Sequence, residues 1–96
     1  MTHYIALIHK DAASSYGVSF PDVPGVFAAA DTLDAAIVEA QEALSFAASD
    51  WRELTGEPFP GPRTLDDLRL DPAFLDGVAD AVIAAIPLHT PVPAAA

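Results

Sequence analysis

Ser19-Phe20-Pro21-Asp22-Val23-Pro24-Gly25-Val26 is the stretch on which the reading of the fold turns. Proline fixes φ at about −65° and offers no N–H, and glycine reaches φ > 0 at little steric cost. Two prolines and a glycine at these offsets predict a tight, stiff reversal. Asp22 is placed to brace that turn through its own backbone. Short β-prone runs lie on both sides, so the segment reads as strand, rigid loop, strand, with Phe20, Pro21, Asp22, Pro24 and Gly25 as its structural residues.

Working outward, Tyr16–Phe20 alternates cleanly, with Tyr16, Val18 and Phe20 on one face and Gly17 and Ser19 on the other. Upstream, His3–His9 reads HYIALIH and is apolar at both parities: Tyr4, Ala6 and Ile8 against Ile5 and Leu7. A strand of that kind is usually central and covered on both faces. Lys10–Ser15 is a polar hairpin loop. Downstream, Val26–Ala30 makes a third short strand, completing an antiparallel meander.

Thr32 then caps a helix, with Asp34 in the first turn where the helix dipole favours a carboxylate. Leu33, Ile37, Ala40, Leu44, Ala47, Trp51 and Leu54 recur at steps of three and four and predict the apolar face of a long α-helix. Gly56 and Pro58 stop it. Glu57–Arg63 is a loop. Thr64 caps a short turn through Leu68, and Asp71-Pro72 starts a brief helix that Gly77 ends. Val78–Leu88 fits a helix or a buried strand; the strand is preferred, because Gly77 breaks the helix and Pro87 closes the run. The organisation expected is one domain over residues 1–88 and a disordered Pro/Ala-rich tail over 89–96.

The 96 residues are 52% hydrophobic and carry a net charge of −10, with Lys10, Arg52, Arg63 and Arg69 as the cations. That balance opposes the phosphate contacts of general nucleic-acid binding and suits a basic protein partner. No cysteine is present, so disulfide and thiolate chemistry are out. Tyr4–Ile8 is too short for a signal-peptide core and no run is long enough to span a membrane. The compartment expected is the cytoplasm.

The Tyr4-Ile5 strand, the Tyr16–Phe20 strand, Phe20-Pro21-Asp22-x-Pro24-Gly25, and Asp31-Thr32-x-Asp34-Ala35 opening an Ala-rich helix together resemble the HicB family of antitoxins, over roughly residues 4–88. The resemblance implies an α+β, β-β-β-α-β, partial ribonuclease-H-like fold. Its meander is antiparallel, its main helix lies on one face, and its last strand returns parallel beside the first. It also implies a partner, a small HicA-type toxin that cleaves mRNA and has a fold like a double-stranded-RNA-binding domain. Many members add a C-terminal DNA-binding module; only nine residues follow Pro87 here, so DNA is expected as a partner only if such a module is missing from this chain. Ala35 stands where the family usually has an acid, which leaves the capping box incomplete.

Catalysis is not expected. Ribonuclease-H chemistry needs carboxylates converging on metal ions, one of them projecting from the middle of the first strand, and Tyr4–Ile8 has none. No nucleophile elbow is visible. No cofactor is expected. The weak metal candidates are His9 and His89, which a parallel last strand would bring to the same end of neighbouring strands. The function expected is an antitoxin that occludes its toxin. A solitary scaffold of the same fold and a degenerate nuclease are the alternatives. One helix covers one face of a four-stranded sheet, so Ile5, Leu7 and Ile83 are a possible interface and a homodimer or larger assembly is expected, its contact supplied by the uncovered sheet face or by the free edge of the third strand. The alternative is that segment 57–76, rich in large apolar residues, folds over that face. Trp51 reads either as core, sealing helix to sheet, or as an interface anchor.

Overall fold

The computed structural model describes residues 2–10 and 15–88; the tail expected over 89–96, with His89, lies outside them, as does most of the first hairpin loop. Four strands, β1 (His3–Lys10), β2 (Tyr16–Ser19), β3 (Phe27–Ala30) and β4 (Val82–Pro87), form one sheet in the order β3-β2-β1-β4. Helix α1 spans Leu33–Thr55, α2 Leu65–Leu68 and α3 Pro72–Val78. The α+β class and the β-β-β-α-β framework are as the sequence predicts.

The long helix begins and ends where its chemistry says. The Thr32 hydroxyl accepts from Ala35 N–H at 3.1 Å. Gly56 closes the last turn at φ 76°, its N–H donating to the Arg52 carbonyl. The buried stripe is Ala36, Ala40 and Leu44, while Leu33 and Leu54 at the ends are exposed. The reason is length. Twenty-three residues of helix run roughly 34 Å, and a strand of four covers only about 13 Å, so both ends of α1 overhang the sheet. Small residues at the centre let the helix sit close to β2 and β3.

Tyr4, Ala6, Ile8, Val18, Phe20, Val23 and Ile86 form the core beneath α1. On the other face Leu7 packs with Leu68 and Phe74, bordered by Ile5, Leu65 and Val78. The second face is therefore covered by segment 57–76, the alternative recognised in the sequence. Leu7 is 5% exposed, so neither it nor the half-buried Ile5 is a free surface.

The direction of β4 is corrected by the structure. It runs antiparallel to β1, pairing Tyr4 with Ile86 and Ile8 with Val82, not parallel as the resemblance implied. The cause is the same segment. Helix α1 delivers the chain to the Tyr4 end of the sheet, where Phe59 packs against Tyr4 and Trp51 with ring centroids 5.6 and 5.5 Å away. The chain then climbs the far face through α2 and α3 to Gly77, whose carbonyl accepts from His9 Nε2–H at 2.7 Å. Having risen on that face, it must descend as β4. Gly77 does not end α3 but lies inside its last turn, where a Cβ would stand 3.3 Å from Leu7 Cδ1. Its role is close approach of helix to strand.

Candidate functional site

The Phe20–Val26 loop has two working halves. Its turn is held by Val23 N–H to the Phe20 carbonyl at 3.1 Å and Val26 N–H to the Val23 carbonyl at 3.3 Å, with Gly25 at φ 92°. In the first half, Asp22 braces not its own backbone but a segment forty-one residues away. Its carboxylate accepts from the Arg63 backbone N–H at 2.7 Å and from Arg63 Nε at 2.6 Å. Arg63 also donates through an Nη to Asp71 at 3.0 Å, and Asp71 caps α3 through Ala73 N–H at 2.9 Å. The Arg63 hydrogen bond, helped by that of Ala73, holds the Asp71 carboxyl below the usual carboxylate range. Tyr4 donates its hydroxyl to the Pro60 carbonyl, and burial, with the nearby Asp22 charge, raises its ionisation above that of a free phenol. This clasp is structural: it fixes the crossing chain to the sheet.

The second half, Pro24-Gly25-Val26, is one wall of an open groove of about 550 Å³ between β3 and the later turns of α1. Its floor and sides are Phe27, Ala28, Phe46, Ala47, Trp51 and Leu54, with Glu39 and Glu42 at the rim. Phe27 is 70%, Phe46 72% and Leu54 77% exposed. Phe46 and Leu54, large apolar side chains in the open beside carboxylates, are what a protein interface displays before it is filled; Phe27, paired with Ser19 in line with Leu7, borders the groove through its strand while its side chain projects to the other face of the sheet. Trp51 is half-buried against the core through Phe59 and also lines the groove.

The remaining sequence candidates do not join this site. Ile83 is on the outer strand β4 at 38% exposure, opposite Leu7. His9 is committed to the Gly77 carbonyl, and the antiparallel β4 leaves the sheet at the His3 end of β1, away from it. Among the described residues no group of three or more His, Cys, Asp or Glu is placed to hold a metal, and no helix is long and apolar enough to cross a membrane. Phe46 and Phe27 were missed. Phe46 stands among Glu42, Ser45 and Ser49, off the apolar stripe of α1, and a large aromatic on the polar side of a helix was the available signal.

Comparison with known proteins places this architecture. The family model described as "HicB_like antitoxin of bacterial toxin-antitoxin system" matches residues 4–90. An uncharacterised 14.9 kDa protein from the rep-hol intergenic region of Haemophilus phage HP1 is 37% identical over 67 residues, 70% of this chain and 50% of that protein; the chain thus spans about half the length of that curated relative. The N-terminal domain of the Burkholderia pseudomallei antitoxin HicB superposes with a TM-score of 0.72 at 31% identity, covering 92% of this chain and 99% of the other. A chain of the HicA3 and HicB3 toxin-antitoxin complex superposes with a TM-score of 0.70 at 21% identity, over 92% and 99% of the two chains.

Proposed function

Because this chain belongs to the HicB-like antitoxin family, we propose that it is an antitoxin that binds a small basic HicA-type toxin and blocks its ribonuclease by covering the surface RNA must reach. The observation that carries this reading is the extent of the family match, which runs through the meander, α1, the far-face cover and β4 rather than through one motif. The complex of HicA3 with HicB3, whose fold this chain shares, supports a toxin partner. The acidic protein, with a net charge of −10, draws a basic partner in quickly and at long range. The groove supplies the apolar area that holds it. The protein brings no chemistry of its own; inhibition is steric and electrostatic. Self-association belongs to the same reading, through side-chain contact at Val82 and Ile83 on β4 rather than through the Leu7 face, which α2 and α3 occupy.

The test is direct. Purified protein is incubated with RNA and Mg²⁺ or Mn²⁺, alone and with its toxin. No cleavage alone, and suppression of the toxin's cleavage at stoichiometric protein, is the expected result. RNA cleavage that follows the protein through purification would assign a nuclease instead. Full toxin activity in excess protein would leave the solitary scaffold.

A further inference from the structure

We propose that the toxin docks by adding a β-strand to the free edge of β3, laying one row of its side chains into the groove beside α1. This deepens the antitoxin reading and rests on it. The starting point is which backbone groups face outward. Leu88 N–H donates to the Thr2 carbonyl at 2.8 Å, and Thr2 and Leu88 continue the register that pairs Tyr4 with Ile86. Bonded pairs alternate in an antiparallel ladder, so Tyr4, Ala6 and Ile8 bond toward β4 while Leu7 and His9 bond toward β2. Carrying the alternation through the pairs Leu7–Ser19, His9–Gly17, Val18–Ala28 and Tyr16–Ala30 turns the N–H and C=O of Phe27 and Ala29 away from the sheet. Among the described residues no other backbone hydrogen bond uses them.

The two edges of the sheet are not alike. Pro87 pairs with His3 at a non-bonded position, so its nitrogen, which has no hydrogen, faces outward and blunts the edge of β4. The edge of β3 carries no proline, charge or bulge within Phe27-Ala28-Ala29-Ala30. Exposed Phe46 sits beside it on the α1 face, and exposed Phe27, in line with Ser19 and Leu7, stands on the strand's other face. A strand added there puts alternate side chains over the groove, and Glu39 and Glu42 at its rim call for lysine or arginine next to those apolar side chains. A second copy of this chain fits poorly: it would bring its own Glu39 and Glu42 to the same junction, where like charges repel. The occupant is therefore a strand of a basic protein.

The test uses the full chain and the cognate HicA-type toxin, purified in a cleavage-deficient form. Ala29→Pro removes one outward N–H that the fold itself does not use, so its melting temperature should match the parent. Its affinity for the toxin, measured by calorimetry, should fall at least tenfold. Phe46→Glu, on the exposed side of α1, should fall similarly, and serves alone if Ala29→Pro folds poorly. Equal affinity of these variants and the parent overturns the edge as the docking site while leaving the antitoxin reading in place. No binding by the parent removes that reading and the inference with it. An Ala29→Pro protein that keeps its toxin affinity but loses a dimer in light scattering would assign the edge to a second copy, and overturn the inference.

Discussion

Asp22 and Arg63, forty-one residues apart, are joined by two hydrogen bonds from one residue to one carboxylate: the Arg63 backbone N–H at 2.7 Å and Nε at 2.6 Å. The pair ties the Pro-Gly loop to the chain as it turns onto the far face of the sheet. The Asp22 side chain is only 8% exposed, so removing it takes the acceptor from the Arg63 backbone N–H and leaves the guanidinium with Asp71 alone. Asp22→Ala should lower stability by about 1.5–3 kcal/mol, the range for hydrogen bonds to a charged group. Asp22→Asn keeps one acceptor and should lose less. Urea denaturation checks both; an Asp22→Ala protein as stable as the parent would mean that the cover is held by Leu68 and Phe74 alone.

The clasp also sets an acid limit. Arg63 holds the Asp71 carboxyl below its ordinary value of 3.8. A carboxylate depressed in the folded state adds stability that is fully present above the unfolded value and is lost as pH falls through the folded one. Thermal midpoints should therefore drop as pH is lowered below about 4, and Asp71→Asn, which keeps a capping oxygen but loses the charge, should be less stable than the parent at neutral pH and converge with it in acid, flattening part of that drop. At the alkaline end the sign reverses. Tyr4 ionises above the usual phenol value because it is buried and faces Asp22, so its contribution is present below about pH 10 and is lost as pH rises beyond it.

Much of the fold was legible because local chemistry decided it. Thr32, Gly56, Thr64 and Asp71 cap where their side chains and backbone preferences say, and the parity of β1 announced a strand covered on both faces. The direction of β4 and the fate of the Leu7 face were not legible, and they were one question. Whether residues 57–78 stay at the Tyr4 end or climb the far face is settled by Leu68, Phe74 and the Arg63 clasp, contacts across long sequence separation that no local pattern encodes. The groove escaped notice for a related reason. Periodicity finds what a helix buries, and Phe46 matters because α1 leaves it in the open.

Gly25 separates backbone strain from crowding. It sits at φ 92°, and a Cβ there meets nothing within 4 Å. Gly25→Ala should thus cost about 1–2 kcal/mol from conformation alone, and the β-branched Gly25→Val somewhat more. Gly77 is the opposite case, with ordinary φ and a Cβ position 3.3 Å from Leu7 Cδ1. Gly77→Ala should be partly rescued by Leu7→Ala, which makes room; Gly25→Val should not respond to any neighbour. Denaturation of the single and double variants distinguishes the two, and a Gly25→Val protein within about 0.5 kcal/mol of the parent would contradict the tight turn.

The far-face cover makes the last prediction. Leu68 is fully buried and Phe74 is 3% exposed, both against Leu7. Truncating either leaves a cavity over a strand that is apolar on both sides. Leu68→Ala should cost about 2–5 kcal/mol and Phe74→Ala about 3–5. Leu70→Ala, in the same segment but 80% exposed, should fall within about 0.5 kcal/mol of the parent. Loosening the cover uncovers Ile5 and Leu7 beside Ile83, a contiguous apolar surface that favours association. At concentrations where the Phe74→Ala variant is still folded, its light-scattering mass should exceed that of the parent, and a hydrophobic dye should bind it more strongly. A loss of stability with no change in mass or dye binding would show that α2 and α3 close over the cavity rather than lift from the sheet.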